Sequence, residues 1–272
     1  MKVSIIGLGF VGSAIQNSLL QKGFTINDTL FVYDKYKNGG MGSLDDCLST
    51  EIMFLCLPTL FNKELNEYDK QSIIEVSTVL SEKHYSGLII IKSTVEPETT
   101  ENLSKQFPSL VFVHNPEFLT ARTANEDFHN QTHIVLGRPA HIQESVLEPI
   151  VTFYSTHYPS AKISPCLSIE SESMKIFCNT FYSVKVQFFT EIYELCKKNG
   201  SDYNVIRELM LSNNWINPMH TVIPGPDGNV SYGGACFPKD SNALNQYMKK
   251  LNTPHGVLNA SITERNSMRK DQ

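Results

Sequence analysis

The sequence predicts an α/β fold: an N-terminal Rossmann-type doubly wound parallel sheet followed by an all-α domain. Three observations carry this. Through the first half, short apolar runs alternate with helical patterns, as in parallel strands covered by helices on both faces. The hexapeptide Gly7-Leu8-Gly9-Phe10-Val11-Gly12, with its three glycines, follows the first such run and leads into the first helix. Beyond residue 165, Ser168 to Lys198 runs without glycine or proline, enough for about 45 Å of helix.

Each element follows from local pattern. Strands are expected at Val3–Ile6, Leu30–Tyr33, Glu51–Leu57, Leu88–Ile91, Leu110–Val113 and Thr132–Leu136. Val11–Gln21 reads as the first helix. Tyr158–Pro165, with its two prolines, reads as a short link between domains 1–165 and 166–272. In the long helix Met174, Phe177, Phe181, Val184, Phe188, Ile192 and Leu195 recur at helical period, and Gly200 stops it. Asp202–Leu211, Asp240–Lys250 and Val257–Asp271 are further helices. Trp215–Tyr232, with three prolines and three glycines, is an ordered loop or a lid.

Composition narrows the function. A formal net charge of -5 gives no global field for nucleic acid or an anionic membrane. No apolar run is long enough to span a bilayer. The six cysteines form no C-x-x-C pair, which fits a reducing cytoplasm. His129 and His133 are four apart but lack a carboxylate between them, so no metal site is expected.

The glycine triplet has the dinucleotide-binding spacing. Gly7 permits the tight turn, Gly9 admits a pyrophosphate, and Gly12 lets helix and strand pack. Asp34, ending the second strand, stands where a ribose-binding carboxylate belongs. An acid there repels a 2′-phosphate and favours NAD; Lys35 and Lys37 keep NADP open. Pro58-Thr59 and Ser93-Thr94-Val95 follow the third and fourth strands, where open sheets bind ligands, though helix capping explains such hydroxyls equally well. Glu117, in Asn115-Pro116-Glu117-Phe118-Leu119, is either a base for water or a solvated loop residue. Lys175 and Asn179 share one helix face, as an oxyanion site or as ordinary surface residues. Last, Gly233-Gly234-Ala235-Cys236-Phe237-Pro238-Lys239-Asp240 sets a cysteine at a helix start, where unpaired N–H groups favour thiolate.

Together these blocks resemble the UDP-glucose/GDP-mannose dehydrogenase family. The match spans nearly the whole chain, and the Asn115–Leu119 and Gly233–Asp240 blocks are its most specific parts. The resemblance implies a four-electron oxidation of a nucleotide-sugar C6 alcohol to the uronic acid, such as feeds polysaccharide biosynthesis. Cys236 would carry a thiohemiacetal and then a thioester. Lys175 and Asn179 would stabilise the oxyanions, Asp240 and Thr94 would position water, and Glu117 would assist hydrolysis. Thr59, with Pro58, Ser93, Thr94 and Lys239, would face the cofactor. Phe118, Leu119, Gly233 and Gly234 would border the sugar. Two chains would pair through the helical domain as a homodimer.

The chain also departs from the family pattern. Ala121 replaces a usual glutamate, no arginine occurs in Asn213-Asn214-Trp215-Ile216, and the loop Pro224–Asn229 is longer and more polar. The family's third, nucleotide-binding domain is not found in these 272 residues, which leaves room for a separate nucleotide-binding subunit. Two alternatives stay open: a two-electron dehydrogenase of the 6-phosphogluconate or 2-hydroxyacid type, and a non-catalytic NAD- or sugar-binding remnant.

Overall fold

The computed structural model describes residues 1–62, 64, 67–120 and 122–270. The chain divides into two compact units, 1–60 with 68–175 and 61–67 with 176–272. Seven strands of the first unit form one sheet in the order β2-β1-β3-β6-β7-β8-β9. They are β1 (Val3–Ile6), β2 (Leu30–Tyr33), β3 (Ile52–Leu55), β6 (Leu88–Ile91), β7 (Val111–His114), β8 (His133–Arg138) and β9 (Lys162–Leu167). Between β3 and β6, β4 (Phe61–Asn62) and β5 (Glu67–Tyr68) make a separate short ribbon. The helices of this unit are α1 (Phe10–Gln21), α2 (Leu44–Cys47), α3 (Gln71–Glu82), α4 (Thr99–Gln106), α5 (Ala124–His129) and α6 (Glu148–His157).

The central strands β3 and β6 are apolar at every position because helices cover both faces of the sheet. Val3, Ile5, Phe54, Ile90 and Val113 join Ala14, Ile15 and Phe153 on one face. Ile6, Met53, Leu55, Ile89, Ile91 and Phe112 join Ile73, Leu80 and Leu103 on the other. The strands expected from the sequence all form, with ends shifted by up to two residues.

Two features differ from the sequence reading. β8 runs antiparallel to β7, so the sheet is mostly rather than wholly parallel. The stretch read as a link, Tyr158–Pro165, ends in β9, which pairs parallel to β8 from Lys162 to Leu167. Its Pro165 masks the strand pattern, yet proline is tolerated because β9 is the sheet edge.

α7 (Ser168–Asn199) is one unbroken helix that contributes residues to both units. Gly200 (φ 77) ends it, and its N–H donates to the Cys196 carbonyl. In the second unit, Asp202 caps α8 (Tyr203–Leu211) by accepting from the N–H groups of Asn204 and Val205. Val186, Phe189, Cys196, Tyr203, Ile223 and Tyr232 form that unit's core. α9 (Phe237–Lys250) and α10 (Gly256–Met268) complete it, and the segment from Trp215 to Tyr232 is irregular, as expected. Outward along α7, Phe177, Phe181, Phe188 and Leu195 form an exposed apolar stripe.

One buried acid fixes the first turns of α7. Glu172 is fully buried, and its Oε1 accepts from the Thr100 N–H (2.7 Å) and hydroxyl (2.6 Å) at the start of α4. Burial raises its pKa to about 7, against the opposing pull of the Thr100 bonds. The folded chain therefore holds this proton between the ordinary value of 4.5 and about 7, while the unfolded chain releases it. Stability should fall across that window as pH rises, by about 3 kcal/mol. Glu172→Gln should melt like wild type at pH 5 and above it at pH 7.5; equal melting temperatures at both values would refute the assignment.

Candidate functional site

The site residues of the first unit lie just past strand ends. After β1, Gly7 turns with φ 91, and its N–H donates to the Tyr33 carbonyl (2.8 Å). A Cβ on Gly12 would collide with the Gly7 carbonyl oxygen, so close is α1 to the turn. At Gly9, by contrast, an added Cβ meets nothing within 4 Å. Gly9 is the N-cap of α1 and has no side chain to cap it, so the first-turn amides stay available to an anion. Gly9 borders a groove of about 780 Å³ together with Leu8, Phe10, Ser13, Lys37 and the segment Arg122–Glu126. Open space at Gly9, bare helix amides and a carboxylate at the end of β2 fit a dinucleotide.

Asp34 is that carboxylate. Its Oδ2 accepts from the Leu8 N–H (2.7 Å), and its Oδ1 from Tyr36 (2.9 Å) and Lys37 (2.8 Å). Burial alone would raise its pKa, but these three bonds and the Lys37 charge outweigh burial and lower it. Asp34 thus pins the loop after β2 to the glycine turn. Phe10 is 74% exposed beside the groove, whereas Val11 packs into the core. Lys35 points elsewhere, with its ammonium 5.4 Å from the Tyr36 ring centre.

The hydroxyls after β3 and β6 are committed to backbone. Thr59 donates to the Thr94 carbonyl (2.7 Å), and Ser93 donates to the Leu57 carbonyl (2.6 Å). These bonds tie the two strand exits together. Pro58 is exposed between them and Thr94 is half-buried.

After β7 the chain enters a charged cluster. Lys175, 5% exposed on α7, donates to the Glu117 carbonyl (2.6 Å) and pairs with its Oε1 (3.1 Å). Oε2 of Glu117 accepts from the Leu119 N–H (2.6 Å). Phe118 stacks on His133, centroids 6.1 Å apart, and the Lys175 ammonium lies 5.6 Å from its ring centre. Leu119 packs against the core. Glu117 is therefore an ion-paired residue rather than a solvated loop glutamate. Ala121 lies outside the described residues.

Two residues of this cluster, Lys92 and Tyr154, escape the sequence reading. Lys92, 2% exposed just past β6, donates to Asn115 Oδ1 (2.9 Å), and Tyr154 donates to the same oxygen (2.5 Å). Asn115 in turn donates to the Val135 carbonyl (2.8 Å). Burial lowers the Lys92 ammonium to about 8, against the pull of Cys56 and Glu117 and with a push from Lys175. A lysine directly after the all-apolar run Leu88–Ile91 was the available signal.

In the second unit, exposed Cys236 is the N-cap of α9. Its carbonyl accepts from the Asp240 N–H (3.0 Å). Asp240 is fully buried; Oδ2 accepts from Asn179 (2.6 Å) and Oδ1 pairs with Lys239 (2.6 Å). Gly234, with φ 79, makes the bend before the cysteine. Gly233 backs onto the Arg269 guanidinium, which donates to the Ser231 carbonyl (3.2 Å) and pairs with Asp227. Arg265 donates to the Tyr232 carbonyl (3.1 Å). Arg265 of α10 and Arg269 just past its end thus fasten the polar loop whose own approach, Asn213–Ile216, holds none.

The two glycines of the turn should separate by experiment. Gly12→Ala, forced against backbone, should cost on the order of 2 kcal/mol and lower Tm by roughly 4–8 °C. Gly9→Ala should melt like wild type but bind NAD more weakly, since its methyl fills the approach to the helix amides. Calorimetric melting and titration of both variants check this; a Gly9→Ala protein with unchanged NAD affinity refutes it.

Comparison with known proteins gives this geometry a family. Two domain models of one family match the chain. The NAD binding domain of the UDP-glucose/GDP-mannose dehydrogenase family matches residues 42–155, and its central domain matches residues 169–267. A UDP-glucose 6-dehydrogenase of Rickettsia felis is 30% identical over 224 residues, which make up 79% of this chain and 47% of that enzyme. The chain spans 46% to 51% of the Rickettsia enzymes matched, about half their length. A UDP-glucose dehydrogenase structure from the hyperthermophilic archaeon Pyrobaculum islandicum superposes with TM-score 0.82 at 20% identity, covering 98% of this chain and 68% of that one. A Mycobacterium tuberculosis 3-hydroxyisobutyrate dehydrogenase shares the fold at TM-score 0.74 and 14% identity, with 98% of this chain and 92% of that one covered. No helix among the described residues is long and apolar enough to cross a membrane. The chain belongs to the UDP-glucose/GDP-mannose dehydrogenase family and carries that family's NAD-binding and central domains.

Proposed function

We propose that this chain oxidises the primary alcohol of a nucleotide sugar such as UDP-glucose to the uronic acid, in two two-electron steps through Cys236. The observation that supports this most is the placement of Cys236: exposed, at the start of α9, one turn before a buried Asp240 held by Asn179. NAD, when bound, supplies the acceptor for the hydride lost in each step. Every other part of the proposal concerns side chains of this chain.

In this reading the Cys236 thiolate adds to the aldehyde carbon formed by the first oxidation, making a C–S bond. The oxygen of that thiohemiacetal carries developing negative charge, and the Lys175 ammonium and Asn179 amide, one helical turn apart on α7, donate to it. Loss of a second hydride leaves a thioester. Water attacks the thioester carbon, the C–S bond breaks, and acid and thiol are released. Asp240 and Thr94 position that water, and Glu117 takes its proton. Asp34 and the glycine turn hold the cofactor, with Pro58, Thr59, Ser93 and Lys239 beside it. Phe118, Leu119, Gly233 and Gly234 flank the sugar. The scattered thiols suit a cytoplasmic setting.

The same reading makes the protein a homodimer. The stripe Phe177, Phe181, Phe188 and Leu195 on α7 is apolar and exposed, and contiguous apolar surface of this kind marks an interface. Wild type should scatter light as a dimer at micromolar concentration, and Phe181→Glu should shift it to monomer. A wild-type monomer would remove the pairing.

The activity test counts electrons. With excess NAD and a panel of UDP- and GDP-sugars, two NADH should form per sugar consumed, and Cys236→Ser should abolish the second oxidation. One NADH per substrate, surviving Cys236→Ser, would instead establish two-electron chemistry of the 2-hydroxyacid type. NAD binding without turnover on any sugar nucleotide would leave a binding role, alone or with a separate nucleotide-binding subunit.

A further inference from the structure

The groove beside the glycine turn has two walls, and the sequence motifs account for only one. Leu8, Gly9, Phe10 and Ser13 form the first, and Lys37 is fixed upon it. The Lys37 ammonium donates to the Leu8 carbonyl (2.7 Å) and the Ser13 hydroxyl (3.0 Å), at the first turn of α1. That turn carries no acidic residue. The second wall begins at Arg122 and continues into α5.

The walls are tied to each other. Asn17 on α1 donates to Asn125 on α5 (3.0 Å), and Ser18 bonds His129 (3.1 Å). Arg122 is therefore carried on a segment held at a fixed distance from the glycine turn. It is exposed, and among the described residues it makes no hydrogen bond or ion pair. The nearest acids on α5 do not pair with it. Asp127 is occupied by the Thr120 N–H and the Thr123 hydroxyl, both at 2.8 Å. Glu126 lines the same groove without pairing to Arg122. An arginine left without a partner, facing bare helix amides and a fixed lysine, makes a site for an anion with oxygens on two sides. The planar guanidinium suits such oxygens because it donates two parallel hydrogen bonds.

We propose that Arg122 clamps the diphosphate of the bound dinucleotide from the wall opposite the glycine turn, completing with Lys37 a two-cation cradle. The proposal rests on the reading of this groove as the NAD site. It assigns a binding residue outside the glycine fingerprint and predicts that affinity depends on the diphosphate rather than on the adenosine.

Calorimetric titration tests it, since exposed and unpaired Arg122 can be replaced without breaking the fold. Wild type and Arg122→Ala are titrated with NAD, ADP-ribose, adenosine and NADP. Losing a charge-assisted contact should weaken NAD and ADP-ribose about tenfold to a hundredfold, with adenosine unchanged. The difference between wild type and variant should shrink as salt rises, because the contact lies in an open groove. Equal NAD affinity in both proteins overturns the clamp and leaves the NAD reading intact. Adenosine weakened as much as NAD overturns it too, by showing a distorted groove. A loss confined to NADP would reassign Arg122 to a 2′-phosphate and overturn it likewise. Wild type that binds none of the dinucleotides overturns the NAD reading itself, and the clamp with it.

Discussion

The parallel register of four strand pairs governs the first unit. Ile6 stands opposite both Tyr33 and Leu55, Leu55 opposite Ile91, and Ile91 opposite His114. The last residues of five strands therefore form one row. Gly7, Asp34, Cys56, Lys92 and Asn115 each follow directly, so a turn, a carboxylate, a thiol, an ammonium and an amide emerge along one edge. Parallel strands need long crossovers, and these place helices over both faces and leave only that edge open to polar chemistry. A one-residue slip in any strand would turn its apolar side chains to the wrong layer.

Burial then sets the chemistry of what emerges. Lys92 is held out of water, so its ammonium falls to about 8 while it still donates to Asn115. The Cys56 thiol is pushed up to about 12 by burial, despite the Lys92 charge, and so stays a thiol. His114, buried and repelled by Lys92, falls to about 3 and is neutral. Burial thus disarms the cysteine of the sheet edge. Cys236 differs in being exposed at a helix start. Of the six cysteines, position rather than residue type singles it out.

Helical period supplies the other constraint. Lys175 and Asn179 are one turn apart on α7, and each is fixed by a carboxylate, Glu117 for the lysine and Asp240 for the amide. Asp240 is in turn one turn beyond Cys236 on α9. Four-residue spacing therefore appears twice, once between Lys175 and Asn179 and once between Cys236 and the buried Asp240. Arg265 of α10 and Arg269 just past it, also four apart, fasten the carbonyls of Tyr232 and Ser231 that lead to this cysteine.

The sequence by itself determined the α/β class, the strands of the sheet interior, the glycine turn and the unbroken α7, because these depend on local period, on glycine and on the absence of breakers. It determined the family as well, through two blocks whose residue order is specific. Tertiary structure decided what local pattern could not. β9 was hidden because Pro165 breaks its strand signal, and only pairing to β8 reveals it. The hydroxyls of Thr59 and Ser93 carry two readings in sequence, ligand contact or helix capping, and only the fold shows that they donate to the Thr94 and Leu57 carbonyls. Lys92, Tyr154 and Arg122 carry no motif. Their roles arise from distant partners, Asn115 for the first two and the opposing glycine turn for the third. Electrostatics depends on such separations in space and on exclusion of water, and neither quantity is written in the order of residues.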